Sequence, residues 1–300
     1  FAAIMAKAAR LYKGNVDYPE FSEKAMRYAK QAYEWAEKNP GIIFHNPDSI
    51  GTGSYTARFP EQFRFWANVE LYLATKDEKY VDLTAIDTFD YDVPTWQLPA
   101  SFALMSLIEG VDKGLVKGAL KKKTELHFDK LAKLLYGRME KSVGRFPLHK
   151  FEWGSNGSMS NAGSILLLQY KHTGDKKYLK AAQDITTYIV GRNATGYCFV
   201  TGFGKKSPMF IHDRRSTGDG IAVPVPGLLA GGPTLDAIRD CDTYVYNYDH
   251  PKSEYPTREY SARAYNDEIC SYSTNEVAIN WSAPFVMLLA GINEAMMNAK

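Results

Sequence analysis

Glu276 stands in Tyr272-Ser-Thr-Asn275-Glu276-Val-Ala-Ile-Asn-Trp281, just ahead of the last apolar helix, and is followed at once by Val277, Ala278 and Ile279. Apolar surroundings disfavour the ionised form, so a carboxyl placed there keeps its proton toward neutral pH and can give it to a leaving oxygen. Asp267, nine residues earlier, is a second carboxylate able to orient or couple to it. In a long loop, His212-Asp213-Arg214 sets an imidazole and a guanidinium on either side of one residue. Extended backbone there would send both sets of donors outward, toward a hydroxyl-rich ligand. Cleaving a glycosidic bond needs one carboxylic acid to protonate the leaving oxygen and a second carboxylate on the other side of the bond. Each residue also has a plainer reading: Glu276 as a helix cap or solvated charge, Asp213 as half of an ion pair that stiffens its loop.

The elements that must hold these groups are helical. Phe21 to Glu37, Gln62 to Ala74, Pro99 to Ile108, Leu126 to Met139, Ala162 to Tyr170 and Tyr178 to Val190 each place apolar residues at three- and four-residue intervals. Tyr72-Leu-Ala-Thr75-Lys-Asp77-Glu-Lys79-Tyr80 recurs 98 residues later as Tyr170-Lys-His-Thr173-Gly-Asp175-Lys-Lys177-Tyr178, and a looser copy runs from Tyr12 through Asp17 and Tyr18 to Phe21. Each copy lies between two helices, where its Asp can cap the second and the aromatic can pack back on the pair. Helical hairpins cannot bury their inner faces singly, so they stack or close into a ring, and an all-α (α/α) toroid is expected. After Val190 the texture changes: Tyr197 to Phe203 alternates like a short strand, Gly204 to Thr234 is a long Gly- and Pro-rich loop, and Asp236 to Tyr265 resembles an insertion. Ser282 with Pro284 is expected to open the last helix, Phe285 to Met297. There is no linker, and the chain reads as one domain.

Composition narrows the class. Lys and Arg number 36 against 34 Asp and Glu, with no basic block, so nucleic acid is not an expected partner. The longest apolar run, Ala283 to Ile292, is ten residues and falls short of the roughly 18 to 20 that span a bilayer. Cys198, Cys241 and Cys270 are too few for a disulfide framework or a structural zinc site, and their pairing stays open. Tyr contributes 20 residues, either as sugar- or peptide-binding faces or as half-buried helix residues. Phe1 to Tyr12 (FAAIMAKAARLY) reads as an amphipathic helix already under way, with no N-cap or signal segment before it. An upstream portion is therefore expected.

Two stretches carry a family resemblance. Cys198-Phe-Val-Thr201-Gly-Phe-Gly204-Lys-Lys206-Ser-Pro-Met-Phe-Ile-His212-Asp-Arg214 resembles the histidine signature of glycoside hydrolase family 9, the inverting cellulases. Tyr265-Asn-Asp267-Glu-Ile-Cys-Ser-Tyr272-Ser-Thr-Asn-Glu276-Val-Ala278 resembles that family's second signature. Pro224 to Pro233, Phe151-Glu-Trp153-Gly-Ser-Asn156 and Phe65 to Tyr72 are similar to further stretches of it. The resemblance implies an (α/α)6 barrel of helical hairpins, of which residues 1–300 form the C-terminal part of one catalytic domain. It implies an inverting endo-β-1,4-glucanase acting on cellulose or a related β-glucan and usually secreted. Glu276 then matches the general acid, Asp267 the supporting aspartate, and His212 and Arg214 the pair that holds sugar hydroxyls. Tyr55, in Thr52-Gly-Ser-Tyr55, and Trp153 fall near aromatics of the substrate cleft, or are packing residues.

The departures matter equally. Cys198 and Ser282 stand where the signatures usually have Ser and Asn, and Trp281 replaces a common Tyr. Pro60-Glu61-Gln62-Phe63 replaces the acidic pair near a calcium site, so no cofactor is expected and calcium lacks its usual acidic ligands. The family's Asp-Ala-Gly-Asp motif, which activates the attacking water, is absent from the sequence. The base aspartates are then expected on an upstream N-terminal segment or a partner chain. The rival expectation is a non-catalytic glucan-binding protein of the same fold.

Overall fold

The computed structural model describes residues 1–51, 53–235, 240–243 and 260–298. Thr52 of the Tyr55 motif, and most of the segment from Asp236 to Tyr265 read as an insertion, lie outside the described residues. The chain clusters into two compact units, Phe1–Leu131 and Ala132–Lys300, and the division falls inside a helix rather than in a linker.

The first unit holds α1 (Ala2–Leu11), α2 (Phe21–Lys38), α3 (Pro60–Thr75), α4 (Ala100–Asp112) and the start of α5 (Gly118–Lys141). Ala3, Ala6 and Ala9 of α1 and Ala25 and Ala29 of α2 are buried, and these small side chains let the two backbones approach. The centre of the unit is polar at one point. Glu70 of α3 is fully buried and accepts from Arg10 (3.0 Å), Trp66 Nε1 (3.3 Å) and Ser106 Oγ (2.5 Å), with Lys7 Nζ at 3.7 Å. Tyr55 is exposed and stands edge-on to Trp96, ring centroids 5.3 Å apart.

The second unit is built on α6 (Ser155–Thr173), α7 (Lys176–Ile189) and α11 (Ile279–Met297), with the short helices α8 (Arg214–Gly218), α9 (Asp240–Thr243) and α10 (Tyr272–Asn275) in the loops between. Among the described residues there are no strands, only isolated bridges. The stretch from Tyr197 to Phe203, expected as a strand, makes one antiparallel bridge, Val200 to Leu229, and the Thr201 hydroxyl adds bonds to Val225 O and from Leu228 N.

The nine-residue repeat has an identifiable structural cause. In the first copy Thr75 Oγ1 donates to Leu71 O (2.7 Å), Asp77 N to Thr75 Oγ1 (3.2 Å) and Lys79 N to Asp77 Oδ1 (3.1 Å). In the second the corresponding bonds, from Thr173, Asp175 and Lys177, are 2.7, 3.2 and 3.1 Å. Between the Thr and the Asp the chain turns left-handed, at Lys76 (φ 63°) and Gly174 (φ 74°). Asp175 caps α7, whereas Asp77 caps only a single 3-10 turn, Glu78–Tyr80. The looser third copy departs further: Asn15, not Asp17, accepts the backbone bonds there, from Asp17 N and Tyr18 N.

Other expectations are corrected. The Lys-rich start of α5, residues 118–125, has little apolar period and was not expected to be helical. α11 begins at Ile279, so Ser282 lies inside it rather than at its cap. Pro284 lies inside the helix, past its first turn, where it forgoes the ladder bond that its N–H would make to Asn280 O. Cys241 and Cys270 form a disulfide, and Cys198 is buried as a free thiol.

α6 and α11 meet through glycines, and this contact brings the site together. An added Cβ would lie 2.7 Å from Trp281 at Gly157, 2.7 Å from Leu288 at Gly163, and 2.4 Å from Leu167 at Gly291. Gly154, the residue before α6, has φ 80°, and its Cβ would lie 2.5 Å from Trp281 Nε1. Gly154→Ala combines left-handed strain with that overlap and is expected to destabilise the protein by about 2–3 kcal/mol, read as a lower midpoint of urea unfolding.

Candidate active site

Trp153 precedes α6 by two residues and Glu276 precedes α11 by three, so the packing of the two helix starts sets the two side chains side by side. Trp153 Nε1 donates to Glu276 Oε2 at 3.2 Å. The Tyr272 ring lies against Trp153 (5.4 Å between centroids, tilted) and edge-on to His212 (5.9 Å). The backbone of Glu276 is held on both sides. His212 pairs with it in a parallel bridge through His212 N to Asn275 O (3.0 Å), and Gly231 N donates to Glu276 O (2.9 Å).

Gly231 and its neighbours are themselves fixed on α6. Asn156, fully buried, donates through Nδ2 to Ala230 O (2.9 Å), and Ser155 Oγ donates to Pro233 O (2.8 Å). Gly232 has φ 95°, and an added Cβ would stand 2.6 Å from the Asn156 amide, so the loop can lie this close only as glycine. The stretch from Pro224 to Pro233 is thus a wedge between α6 and the residues before Glu276.

Burial pushes the Glu276 carboxyl pKa up, and the negative charge of Asp240 adds to this; the Trp153 hydrogen bond and His212 act in the opposite direction. The direction expected from the sequence is found, but its source differs. Ile279 is 88% exposed and shields nothing, whereas the Trp153 indole, backed by the Tyr272 ring, lies directly on the carboxyl.

Asp267 does not touch the Glu276 carboxyl through any bond among those described. It accepts from Met209 N (2.9 Å), Phe210 N (3.1 Å) and Asn275 Nδ2 (2.9 Å). Asn275 in turn donates to Phe210 O (2.7 Å) and accepts from the buried Tyr265 hydroxyl (2.5 Å). Asp267 therefore fastens the chain leading to His212 onto the residue before Glu276. His212 Nδ1 lies 2.7 Å from Ile269 O, which fixes the ring with Nδ1 as the donor.

Arg214 is exposed at the start of α8, and it is Arg215 that pairs with Asp213, Nε to Oδ1 at 3.0 Å. The loop-stabilising ion pair therefore exists, made by the neighbour of the residue singled out. Trp153 is 46% exposed, which leaves a ring face open while its N–H is engaged. Tyr55 belongs to the first unit and is described there.

Two residues escaped the sequence reading. Tyr272 was quoted in the signature without a role. Asp240, buried at 3% exposure, accepts from Ser273 N (2.8 Å), Ser273 Oγ (2.5 Å) and the Tyr272 side chain. The available signal was the pair of cysteines: Cys241 adjoins Asp240, Cys270 lies two residues before Tyr272, and the disulfide joins the two stretches. Among the described residues no three His, Cys, Asp or Glu side chains could hold a metal ion. At the position compared with a calcium site, Gln62 Oε1 accepts from Ala100 N and Arg64 pairs with Glu37. No described helix is long and apolar enough to cross a membrane.

The chain is 34% identical to a xyloglucan-specific endo-beta-1,4-glucanase of Bacteroides ovatus, over 98% of this chain and 50% of that protein. It is 28% identical to Endoglucanase D of Acetivibrio thermocellus, over 97% of this chain and 43% of the relative. Among solved structures, a Bacteroides ovatus GH9 protein matches with a TM-score of 0.81 and 32% identity, over 98% of this chain and 52% of that one. A thermostable endoglucanase of Alicyclobacillus acidocaldarius matches with a TM-score of 0.81 and 28% identity, over 98% and 54%. The chain spans about half the length of the relatives it matches, and over that half its fold is that of the (α/α)6 barrel enzymes. The family model of Glycosyl hydrolase family 9 matches residues 1–289, and the chain belongs to that family.

Proposed function

We propose that the protein is an inverting endo-β-1,4-glucanase in which Glu276 protonates the leaving glycosidic oxygen. The observation that carries this is a carboxyl whose proton is favoured by burial, held by an indole N–H beside a half-exposed aromatic face. A pyranose ring stacked on such a face would present its glycosidic oxygen near the acid. His212 and Arg214 would hold sugar hydroxyls, Tyr55 and Trp153 would supply stacking surfaces, and Asp267 would keep the acid and imidazole in register. The water is activated by aspartates from an upstream segment or a partner chain, set roughly 6.5–9.5 Å from the acid so that a water fits between. The substrate is a polysaccharide with a β-1,4-glucan backbone, and secretion follows from the kind of enzyme its relatives are. The relatives' names include both xyloglucan-specific and general endoglucanases, so the branched and unbranched glucans are the two substrates to compare.

The test is the anomer first released by the full-length protein from soluble β-1,4-glucan and from xyloglucan, followed by proton NMR. The α-anomer should appear first and then mutarotate. Initial release of the β-anomer would exclude inversion, and tight glucan binding without release of reducing ends would leave only the binding protein. A ladder of oligosaccharides is expected; cellobiose alone would show exo action.

A further inference from the structure

Asp240 is a buried acid beside the site that the mechanism above does not use. Asp240 receives a backbone N–H and two hydroxyl donors, a set that suits an ionised carboxylate, which can only accept. Its three donors come from Tyr272 and Ser273, in the short helix α10 that ends at Glu276. One of those donors belongs to the ring that lies between Trp153 and His212. The Cys241–Cys270 disulfide, with its two Cα atoms 4.7 Å apart, ties the residue after Asp240 to the approach of the same helix. A structural acid could be bonded anywhere on α10. This one instead grips the ring that supports the indole bonded to the proton donor.

We propose that Asp240 is a positioning residue for Glu276: its bonds to Tyr272 and Ser273 seat the ring behind Trp153 and hold the short helix that leads into Glu276. Charge supports the geometry. Among the described residues, His212 and Tyr272 bear on Asp240, and His212 and Asp240 bear on Glu276. His212 favours the ionised form of both acids, whereas Asp240 opposes ionisation of Glu276. Burial raises the pKa of Asp240, and its Ser273 and Tyr272 donors, which favour the ionised form, pull the other way. Removing that charge while keeping the shape should let Glu276 lose its proton at lower pH.

This inference rests on Glu276 being the general acid, and the experiment separates the two. In full-length protein, Asp240→Asn keeps an acceptor for Ser273 and deletes the charge. Two quantities are followed against pH: kcat/KM on soluble β-glucan, and the Trp153-dependent fluorescence, taken as wild type minus Trp153→Phe. The fluorescence reports ionisation of the hydrogen-bonded carboxyl without substrate. In Asp240→Asn both midpoints should move down together, by about 0.5–1 pH unit. A uniform drop in kcat/KM with an unmoved fluorescence midpoint would overturn the proposal, because a merely structural role leaves that midpoint alone. If the wild type cleaves no glucan, the functional reading fails while the fluorescence shift still decides what Asp240 does to Glu276. Should Asp240→Asn not fold, Ser273→Ala decides instead. Losing its hydroxyl donor weakens the charge on Asp240, so a smaller downward shift supports the proposal and an unchanged midpoint overturns it.

Discussion

Glu276→Gln should lower kcat on natural β-1,4-glucan by about 10²- to 10⁴-fold, the range that a positioned general acid contributes, while the affinity for glucan stays close to wild type. The indole of Trp153 can still donate to the amide oxygen, so the cleft keeps its shape. The loss should nearly vanish on an aryl glycoside with an acidic phenol leaving group, which departs without a proton. An equal loss on both substrates would place the defect in binding geometry, and unchanged turnover would remove the assignment.

The same variant should raise stability, with a pH dependence whose sign is fixed. Burial lifts the folded-state pKa of Glu276 above its ordinary 4.5, so the folded protein holds this proton more tightly than the unfolded chain. The contribution of Glu276 is fully present below the ordinary value and is lost as pH rises through the folded one. Glutamine cannot ionise, so the melting temperature of Glu276→Gln should pull ahead of wild type across that window and stay ahead above it. A gap that shrinks with rising pH would contradict the burial of this carboxyl.

The largest expected loss of stability lies in the other unit. Glu70→Ala should cost about 3–5 kcal/mol, because it leaves the Arg10 guanidinium without its carboxylate and strips the partner from Trp66 and Ser106. The side chain of Arg10 is only 15% exposed, and its Nε is buried with no hydrogen-bond partner even in the intact network. Replacing both ends with apolar residues of similar volume, Glu70→Leu with Arg10→Met, should recover part of the loss, since no bare charge remains between them. Urea unfolding of the full-length protein measures both. A double variant no better than Glu70→Ala would show that the cost comes from packing rather than from the stranded cation.

Much of this was legible in the sequence, for reasons that differ by residue. The periodic helices could be read because an apolar stripe must face the core whatever lies around it, as in α2 and α7. The first turns of α5 could not, since Lys121 and Lys122 face water and are held helical by the remainder of the helix. The start of α11 was misplaced because Ser and Pro in sequence usually mark a cap, whereas here Ala278 in extended backbone does so without a side-chain bond. Glu276 could be singled out by its apolar followers, although the indole that lies on it belongs to Trp153, 123 residues away. The role of Asp267 was legible only as support, because which N–H groups it binds depends on the path of residues 209–210. Asp240 was invisible, lying in a stretch with no period, and the tyrosines divide between the two roles: Tyr80, Tyr178, Tyr188 and Tyr265 are buried scaffold, while Tyr55 is exposed.

The repeated turn has a consequence for how the chain tolerates change. Its bonds depend on two side chains, a Thr and an Asp two residues apart, and on backbone groups within nine residues, so it behaves as a self-contained corner. Evolution can therefore alter the helices on either side, in length or in composition, without re-inventing the bend that joins them. The acid at 276 has no such independence, because each of its supports is borrowed from a different part of the chain. Drift in this protein should accordingly be permissive at its corners and conservative wherever the rings meet.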